Sequence, residues 1–417
     1  MQRQEKITQS HEMKSVEQTN CCIVGGGPAG VVLAFLLARK RVPVTLLEAH
    51  MDFEREFRGN ILHPGVMEIL DEIGLADRIL QMPHTKVSQF TMRTATGTAA
   101  INFAPLKTKY PHITVISQAR FLDFMVEEAR RFPTFRLVMG AQANELVLEN
   151  GNVCGVRYHG QDGWHEVRAA LTVGADGRFS RLRRLAEFEP ISTSSPLDVL
   201  WLRLSRKESD AGIRVGIRVS AGRWIVLVDH FDYWHVAYTI AKGGYQQMRS
   251  AGMEALHQNL AQAVPELADR VNELQDWKQI SVLSVESSRL ARWYRPGLLF
   301  IGDAAHVMSP VGGVGINYAI QDAVVAANVL GEKLKTGTVQ VRDLAQVQRE
   351  RALPTRVIQR IQALLQHQVY TKVLKTDSNK PLSLPPLVGV ILRTPGLRTI
   401  PAGLMAFGVR RVHVENT

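Results

Sequence analysis

The chain has 417 residues, 45% of them hydrophobic, so it can bury a substantial core, and its length suggests about two to three domain-sized units. Fifty Lys and Arg against 39 Asp and Glu leave a formal charge of +11, which favours anionic ligands or surfaces without choosing among them. The basic residues are scattered rather than interleaved with aromatics along one segment, which sets nucleic-acid binding aside; the three cysteines, Cys21, Cys22 and Cys154, form no CxxC pair and have no His cluster at metal-ligand spacing, so no metal is expected.

In chain order, Met1 to Asn20 is polar, lacks the apolar core of a secretory signal and reads as a disordered leader. From Cys21 a short apolar strand, a glycine-rich turn, an apolar helix (Ala29 to Arg39) and a second strand (Val44 to Glu48) make a βαβ start. A charged loop (Asp52 to Gly65), a helix (Val66 to Ile73), a hairpin-like pair between Lys86 and Phe103 and a helix (Gln118 to Arg131) follow. Turn signals at 149–152 and 160–163 divide a β-meander that returns to a strand at Leu171 to Ala175. A separate sheet is expected from Asp198 to Ile240, with alternation at Ile213 to Val219, then a helical stretch (Ala255 to Leu274) broken near Pro265. A buried strand (Leu298 to Ile301), a helix (Gly315 to Lys335) and a long helix (Val341 to Val373) interrupted at Pro354 close the core.

Three motifs carry chemistry. Gly25-Gly26-Gly27-Pro28-Ala29-Gly30 sits between strand and helix: Gly25 allows the tight turn, Gly27 the approach of a pyrophosphate, Gly30 close helix-to-strand packing, and the helix N-terminus offers N–H groups to an anion. Glu48, 18 residues beyond Gly30, can accept from a ribose diol and repels a 2′-phosphate, which favours FAD or NAD over NADP in this pocket. The second motif, Asp176-Gly177-Arg178-Phe179-Ser180-Arg181-Leu182-Arg183, follows a strand and by itself reads as an ordinary turn with a basic helix start. The third is Gly302-Asp303-Ala304-Ala305-His306 followed by Pro310, Gly312, Gly313, Gly315 and Asn317. An Asp at a buried strand end can hold polyol hydroxyls, and a glycine-rich loop entering a helix aims N–H groups and a positive dipole end at a group that becomes anionic, as a reduced isoalloxazine does. His306 reads equally well as a satisfied core histidine.

With all three motifs in this order, from about Cys21 to Lys335, the sequence resembles the class A flavoprotein monooxygenases, the p-hydroxybenzoate-hydroxylase-like family. The resemblance implies an α/β fold: a Rossmann-type, GR2-like FAD-binding domain with a β-meander (21–85, 115–187 and 281–340), a mixed-sheet substrate domain (86–114 and 188–280), and C-terminal helices and tail (341–417). It implies non-covalent FAD, with Gly25, Gly27, Pro28, Ala29 and Gly30 at the pyrophosphate, Glu48 at the adenosine ribose and Gly302-Asp303 at the ribityl chain. Pro310, Gly313, Gly315 and Asn317 would lie under the flavin ring. Arg58 resembles the family arginine after the second strand, Gln118 and Arg120 the flavin-contacting helix start, and Asp176 and Arg183 the motif linked to FAD and the nicotinamide donor. The reaction implied uses transient NAD(P)H and O2 to hydroxylate an aromatic or other electron-rich molecule through a flavin C4a-hydroperoxide, with no catalytic acid or base assigned.

No motif covers the expected substrate sheet, whose Arg218, Trp224, His230, Tyr233, Trp234 and Tyr238 are each candidate pocket walls or ordinary sheet residues. The proline-rich tail, Leu384 to Thr417, with Arg393, Arg398, Arg410 and Arg411, fits either peripheral membrane contact or a cap over the core, and the prolines favour the cap. Its apolar stretch is far short of the roughly 20 residues that span a bilayer, so a soluble cytoplasmic protein is expected. Two alternatives stay open: a reductase of an isoprenoid or related lipophilic substrate on the same fold, and a flavin binder without turnover. NADH against NADPH and the oligomeric state stay open too.

Overall fold

The computed structural model describes residues 12–54, 61–94, 97–213, 215–220, 223–369 and 399–415. β1 (Met13–Val24) leads through the glycine turn into α1 (Pro28–Arg39) and β2 (Val44–Glu48). After β3 (Ile61–Leu62) and α2 (Pro64–Glu72) come a hairpin, β4 (Gln89–Thr94) and β5 (Gly97–Asn102), and α3 (Gln118–Ala129). β6 (Phe135–Met139), β7 (Gln142–Glu149), β8 (Asn152–His159) and β9 (Trp164–Gly174) form the meander. A short α4 (Arg181–Leu185) precedes β10 (Pro190–Ser205), β11 (Gly216–Ser220), β12 (Arg223–Asp229), β13 (Tyr233–Ala241) and α5 (Met253–Ala263). β14 (Ser281–Leu290), β15 (Leu298–Phe300), β16 (His306–Val307), α6 (Gly315–Thr336), α7 (Val341–Val369) and α8 (Thr399–Phe407) complete the chain.

One sheet runs β15-β9-β1-β2-β6, parallel throughout, with β8 and β7 added antiparallel beside β9. Its strands β1 and β2 end in fully buried runs, Cys21 to Val24 and Val44 to Glu48, with α1 packed against both strands, α6 against β1, and the meander strand β7 close to β2. α1 is buried from Ala29 to Ala38, wedged against α3 and α6, so its all-round apolar sequence is what a core helix requires. The second sheet runs β16-β14-β10-β13-β12-β11-β4-β5. Alternation sends Leu200, Leu202 and Leu204 of β10, with Trp234, Val236 and Tyr238 of β13, onto one face, where Leu256 and Leu260 of α5 cover them. The other face carries Val199, Trp201 and Ala237, packed with Val285 of β14. Its edge strand β16 is part of the third motif and pairs with β14 at Ser288–Val307 and Arg289–His306, so the two sheets meet at that motif.

Two expectations change. The expected leader is ordered from Met13: β1 continues eight residues before Cys21 because β9 extends alongside it, with Ser15 Oγ 2.8 Å from His165 Nδ1 and Asn20 Nδ2 donating to Leu334 O (2.7 Å). α7 runs through Pro354 without a break, held on either side by Arg351 and Gln359, so the loss of one backbone donor does not end it. Residues 370–373, expected in this helix, lie outside the described residues, as do 384–398 of the tail. The described part of the tail packs on the protein: Ala402, Ala406 and Phe407 of α8 join Val87, Phe103 and Ile113, and Arg411 and His413 meet Glu68 and Glu72 of α2. No described helix is long and apolar enough to cross a membrane.

Candidate cofactor and substrate site

The three roles read from the glycine loop separate cleanly in space. Gly25 has φ +109°, and a Cβ there would lie 2.4 Å from Ala175 O. A Cβ at Gly30 would lie 1.9 Å from Gly25 O, so the helix can start this close to the strand only without a side chain. At Gly27 a Cβ would meet no described atom within 4 Å, which leaves open space at the helix N-terminus. Pro28 takes the first helical position, where its missing N–H costs nothing, and α1 has no side-chain cap. A pyrophosphate fits that vacancy in hydrogen bonding. Glu48, buried at the end of β2, accepts from Gly26 N (2.7 Å) and His50 N (2.9 Å), which fixes the turn and holds the carboxylate beside the loop.

The second motif is a brace. Asp176 accepts from Ser180 Oγ (2.5 Å), Arg181 N (2.7 Å) and Leu182 N (3.0 Å), capping α4, and burial raises its pKa against those bonds. Ser180 Oγ in turn accepts from Arg183 N (3.0 Å). The buried Arg183 guanidinium donates to Arg178 O (2.7 Å) and to Ala304 O (3.0 Å), stapling the second motif to the third. Burial lowers its pKa, with Asp176 pulling the other way.

In the third motif Gly302 adopts φ +57°, and Asp303 is half-buried while Gly302, Ala304 and Ala305 around it are buried. His306 belongs to the core: Nε2 lies 2.6 Å from Asp322 Oδ2, which also accepts from Gly302 N (3.0 Å), while Arg351 Nε donates to Asp322 Oδ1 (2.7 Å). Burial pushes the Asp322 pKa up, but His306 and Arg351 outweigh it and leave the carboxyl below its usual value. After Pro310 the loop turns through Gly312 (φ +79°) and Gly313 (φ +61°), conformations that favour glycine. The first backbone bond into α6 is Tyr318 N to Val314 O (3.0 Å), so the N–H groups of Val314 to Asn317, in a helix start with no side-chain cap, could meet an anionic group. The Asn317 side chain ties β3 to the loop: Oδ1 accepts from His63 N (2.8 Å), and Nδ2 donates to Ile61 O (3.0 Å) and Gly313 O (3.1 Å). Arg58 lies outside the described residues. Gln118 is half-buried at the start of α3, behind Ser117, whose Oγ caps Arg120 N.

The open face of the second sheet re-sorts the candidate wall residues. Trp234 and Tyr238 are buried on the α5 side, Trp234 donating Nε1 to Asp210 Oδ2 (2.9 Å), and Arg218 lies opposite Ile225 on that same side, 3.5 Å from Glu266. All three are buried on the side covered by α5. His230 and Tyr233 belong to the open side together with three residues not singled out from sequence, Trp201, Arg203 and His235. Their rings form a continuous row: Trp201 to His235 4.3 Å, His235 to His230 5.4 Å, His230 stacked on Tyr233 at 4.8 Å, and Arg203 over the Tyr233 ring at 4.8 Å. Burial lowers the His230 pKa to about 4. The signal was available: the odd positions of β10 fall opposite the leucine row, and β10 pairs Arg203 with His235 and Trp201 with Ala237. The Arg120–Asp232 pair (3.5 Å) links this end of the sheet to the start of α3.

Gly27's open space, an uncapped α1, the half-buried Asp303 and the bare α6 start are features that could hold a dinucleotide, with a glycine loop placed to meet its reactive ring. The model of the family described as FAD binding domain matches residues 18–360. The 6-methylpretetramide 4-monooxygenase of Streptomyces rimosus is 34% identical over 95% of this chain and 94% of its own length. Pentachlorophenol 4-monooxygenase of Sphingobium chlorophenolicum is 26% identical over 72% of this chain, which spans 56% of that protein. Among solved structures, p-nitrophenol 4-monooxygenase PnpA of Pseudomonas putida superposes with a TM-score of 0.76 at 20% identity, covering 95% of this chain and 100% of that one. The chain belongs to the FAD-binding family of class A, p-hydroxybenzoate-hydroxylase-like monooxygenases. It is an FAD-dependent oxidoreductase of the monooxygenase type, and these relatives favour aromatic hydroxylation over the lipophilic-substrate reductase and the non-catalytic binder.

Proposed function

We propose that this enzyme takes reducing equivalents from NADH or NADPH and uses O2 to hydroxylate a phenolic substrate held between the Pro310–Asn317 loop and the open face of the second sheet. The observation that carries this reading is a pair of buried polar atoms on that face, Trp201 Nε1 and His230 Nε2, with no hydrogen-bond partner among the described residues. Each such atom costs about 1–3 kcal/mol until a ligand meets it. An aromatic ring bearing hydroxyl or carbonyl oxygens would supply both the stacking surface and the partners. His230, neutral at pH 7, would share the proton of a substrate hydroxyl at Nε2, and Arg203 would favour the anionic form of that hydroxyl.

Gly25, Gly27, Pro28, Ala29 and Gly30 would hold the FAD pyrophosphate, Glu48 the adenosine ribose and Gly302-Asp303 the ribityl chain, and Gly313 to Asn317 would lie under the ring, with the backbone N–H groups of Val314 to Asn317 turned to it. Asp176, Arg183 and the Asn317 side chain would act by holding the cradle in shape. FAD, when bound, supplies the electron transfer and oxygen activation. Tail helix α8 would close one end of the cavity, since Leu404 packs near Met308 and Val314 of the loop while Met405 packs near Val228 of the sheet. The test is anaerobic stopped-flow reduction by NADH and NADPH with a panel from single-ring phenols to 6-methylpretetramide, then mixing with 18O2. Faster reduction with one ligand class and one 18O atom in its product are expected. Reduction indifferent to every phenol, with no labelled product, would overturn the reading.

A further inference from the structure

α7 runs behind the flavin loop and carries Gln359, Gln362 and Gln366, spaced by three and four residues and therefore on one face. All three are buried, an unusual placement for glutamine. Gln362 Nε2 donates both of its hydrogens to the loop, to Ser309 O (2.9 Å) and Val311 O (2.8 Å), the carbonyls on either side of Pro310. Pro310 O accepts from Gly313 N (3.0 Å), the bond that closes the turn through Gly312 and Gly313. The amide thus grips the turn that delivers the chain into α6. Its other end is a liability: Gln362 Oε1 is buried with no partner among the described residues. A leucine would remove that orphan but would leave Ser309 O and Val311 O without their donor, so what the glutamine contributes is its hold on the loop. The neighbouring glutamines reach elsewhere, Gln359 to Ser288 O and Val307 O, and Gln366 to Ser195 Oγ.

We propose that Gln362 is a positioning residue that presets the Ser309–Gly313 turn, and with it the bare N–H groups of α6, for the extra negative charge of reduced FAD. The inference rests on the assignment of this loop to the flavin ring. Fixed donors favour the form whose charge they face, and a loop left to relax loses that advantage for the reduced state more than for the neutral oxidised one. Full-length protein carrying Gln362→Leu, loaded with FAD, would be titrated for midpoint potential and for the Kd of oxidised FAD. The expected result is an about tenfold loss of preference for reduced FAD, a potential about 30 mV more negative, with oxidised FAD still bound. Gln362→Met, close in size, uncharged and without either donor, gives the same readout if the leucine variant folds poorly. Gln366→Leu, whose parent bond misses the loop, is expected to leave the potential at the wild-type value. An unchanged potential in both Gln362 variants, or equal weakening of oxidised and reduced FAD, would overturn the proposal. A wild-type protein that binds no FAD would instead overturn the underlying assignment.

Discussion

Alanine at two glycines of the same turn, Gly27 and Gly30, separates the space a cofactor needs from the space the fold needs. At Gly27 the backbone is extended (φ −76°, ψ −179°) and a Cβ meets nothing described within 4 Å, so Gly27→Ala is tolerated by the apoprotein. Losing a glycine at the helix cap costs a few tenths to about 1 kcal/mol, and the stiffer unfolded chain returns a similar amount, for a net change near zero. The added methyl occupies the ground a pyrophosphate must approach, and FAD affinity is expected to fall by at least about 100-fold, about 2.7 kcal/mol. At Gly30 the same methyl would stand 1.9 Å from Gly25 O, and the backbone must part by more than an angstrom to admit it. Overpacking of that size costs about 3 kcal/mol. Differential scanning fluorimetry of the apoproteins, with FAD titrated by flavin fluorescence quenching, reads both quantities. Gly27→Ala protein that bound FAD as tightly as wild type would refute the placement of the pyrophosphate, and an undiminished Tm for Gly30→Ala would refute the packing argument.

Three further outcomes follow from buried charge and from the two faces of the second sheet. Arg351→Leu strips the buried Asp322 carboxylate of its guanidinium partner and is expected to destabilise the protein by about 3–5 kcal/mol in urea unfolding. Because the folded Asp322 pKa lies below the ordinary 3.8, its stabilisation is complete above that value and is lost as pH falls through the folded pKa, so the wild-type-to-variant gap should close under strongly acidic conditions. His63, buried and held at about 4 against an ordinary 6.5, is neutral in the fold but takes a proton on unfolding between those values; stability therefore rises with pH across pH 4–6.5, and His63→Phe should flatten that slope by about one proton. His230→Phe should abolish ligand-stimulated flavin reduction with Tm little changed, whereas Trp234→Phe, which breaks the bond to Asp210, should lower stability by about 1–3 kcal/mol and leave the stimulation intact, as rapid kinetics and thermal melts would show.

How much of this could be read in advance depended on how far apart the cooperating residues lie. Gly25, Gly27, Gly30 and Glu48 report on a turn and two adjacent strands, and their spacing alone defines the geometry. The strand at Met13 to Asn20 escaped notice because its polar, alternating sequence makes sense only beside Trp164 to Ala169, some 150 residues on. Alternation in β10 and β13 divides the second sheet into two sets, but which set faces the cofactor is fixed by the covering helix α5; once Leu200, Leu202 and Leu204 are assigned to it, Trp201 and Arg203 must face away. Asp176 and Arg183 were recognisable as a motif, yet their engagement with Leu182 N and Ala304 O is tertiary detail. Gln362 carried no signal, since a glutamine on a long amphipathic helix reads as solvent-facing until the loop behind it is known.

The pairing of Ser288 and Arg289 with Val307 and His306 bears on how such an enzyme can be altered. The platform for one molecule and the floor beneath the other are rungs of a single ladder, so the substrate sheet is not an interchangeable cassette. A graft from a relative that stopped short of residue 306 would have to rebuild this edge in register, and an error of one residue would turn His306 away from Asp322. Changes of specificity are therefore best sought at side chains such as Trp201 and His235, which can be exchanged while every rung stays in place.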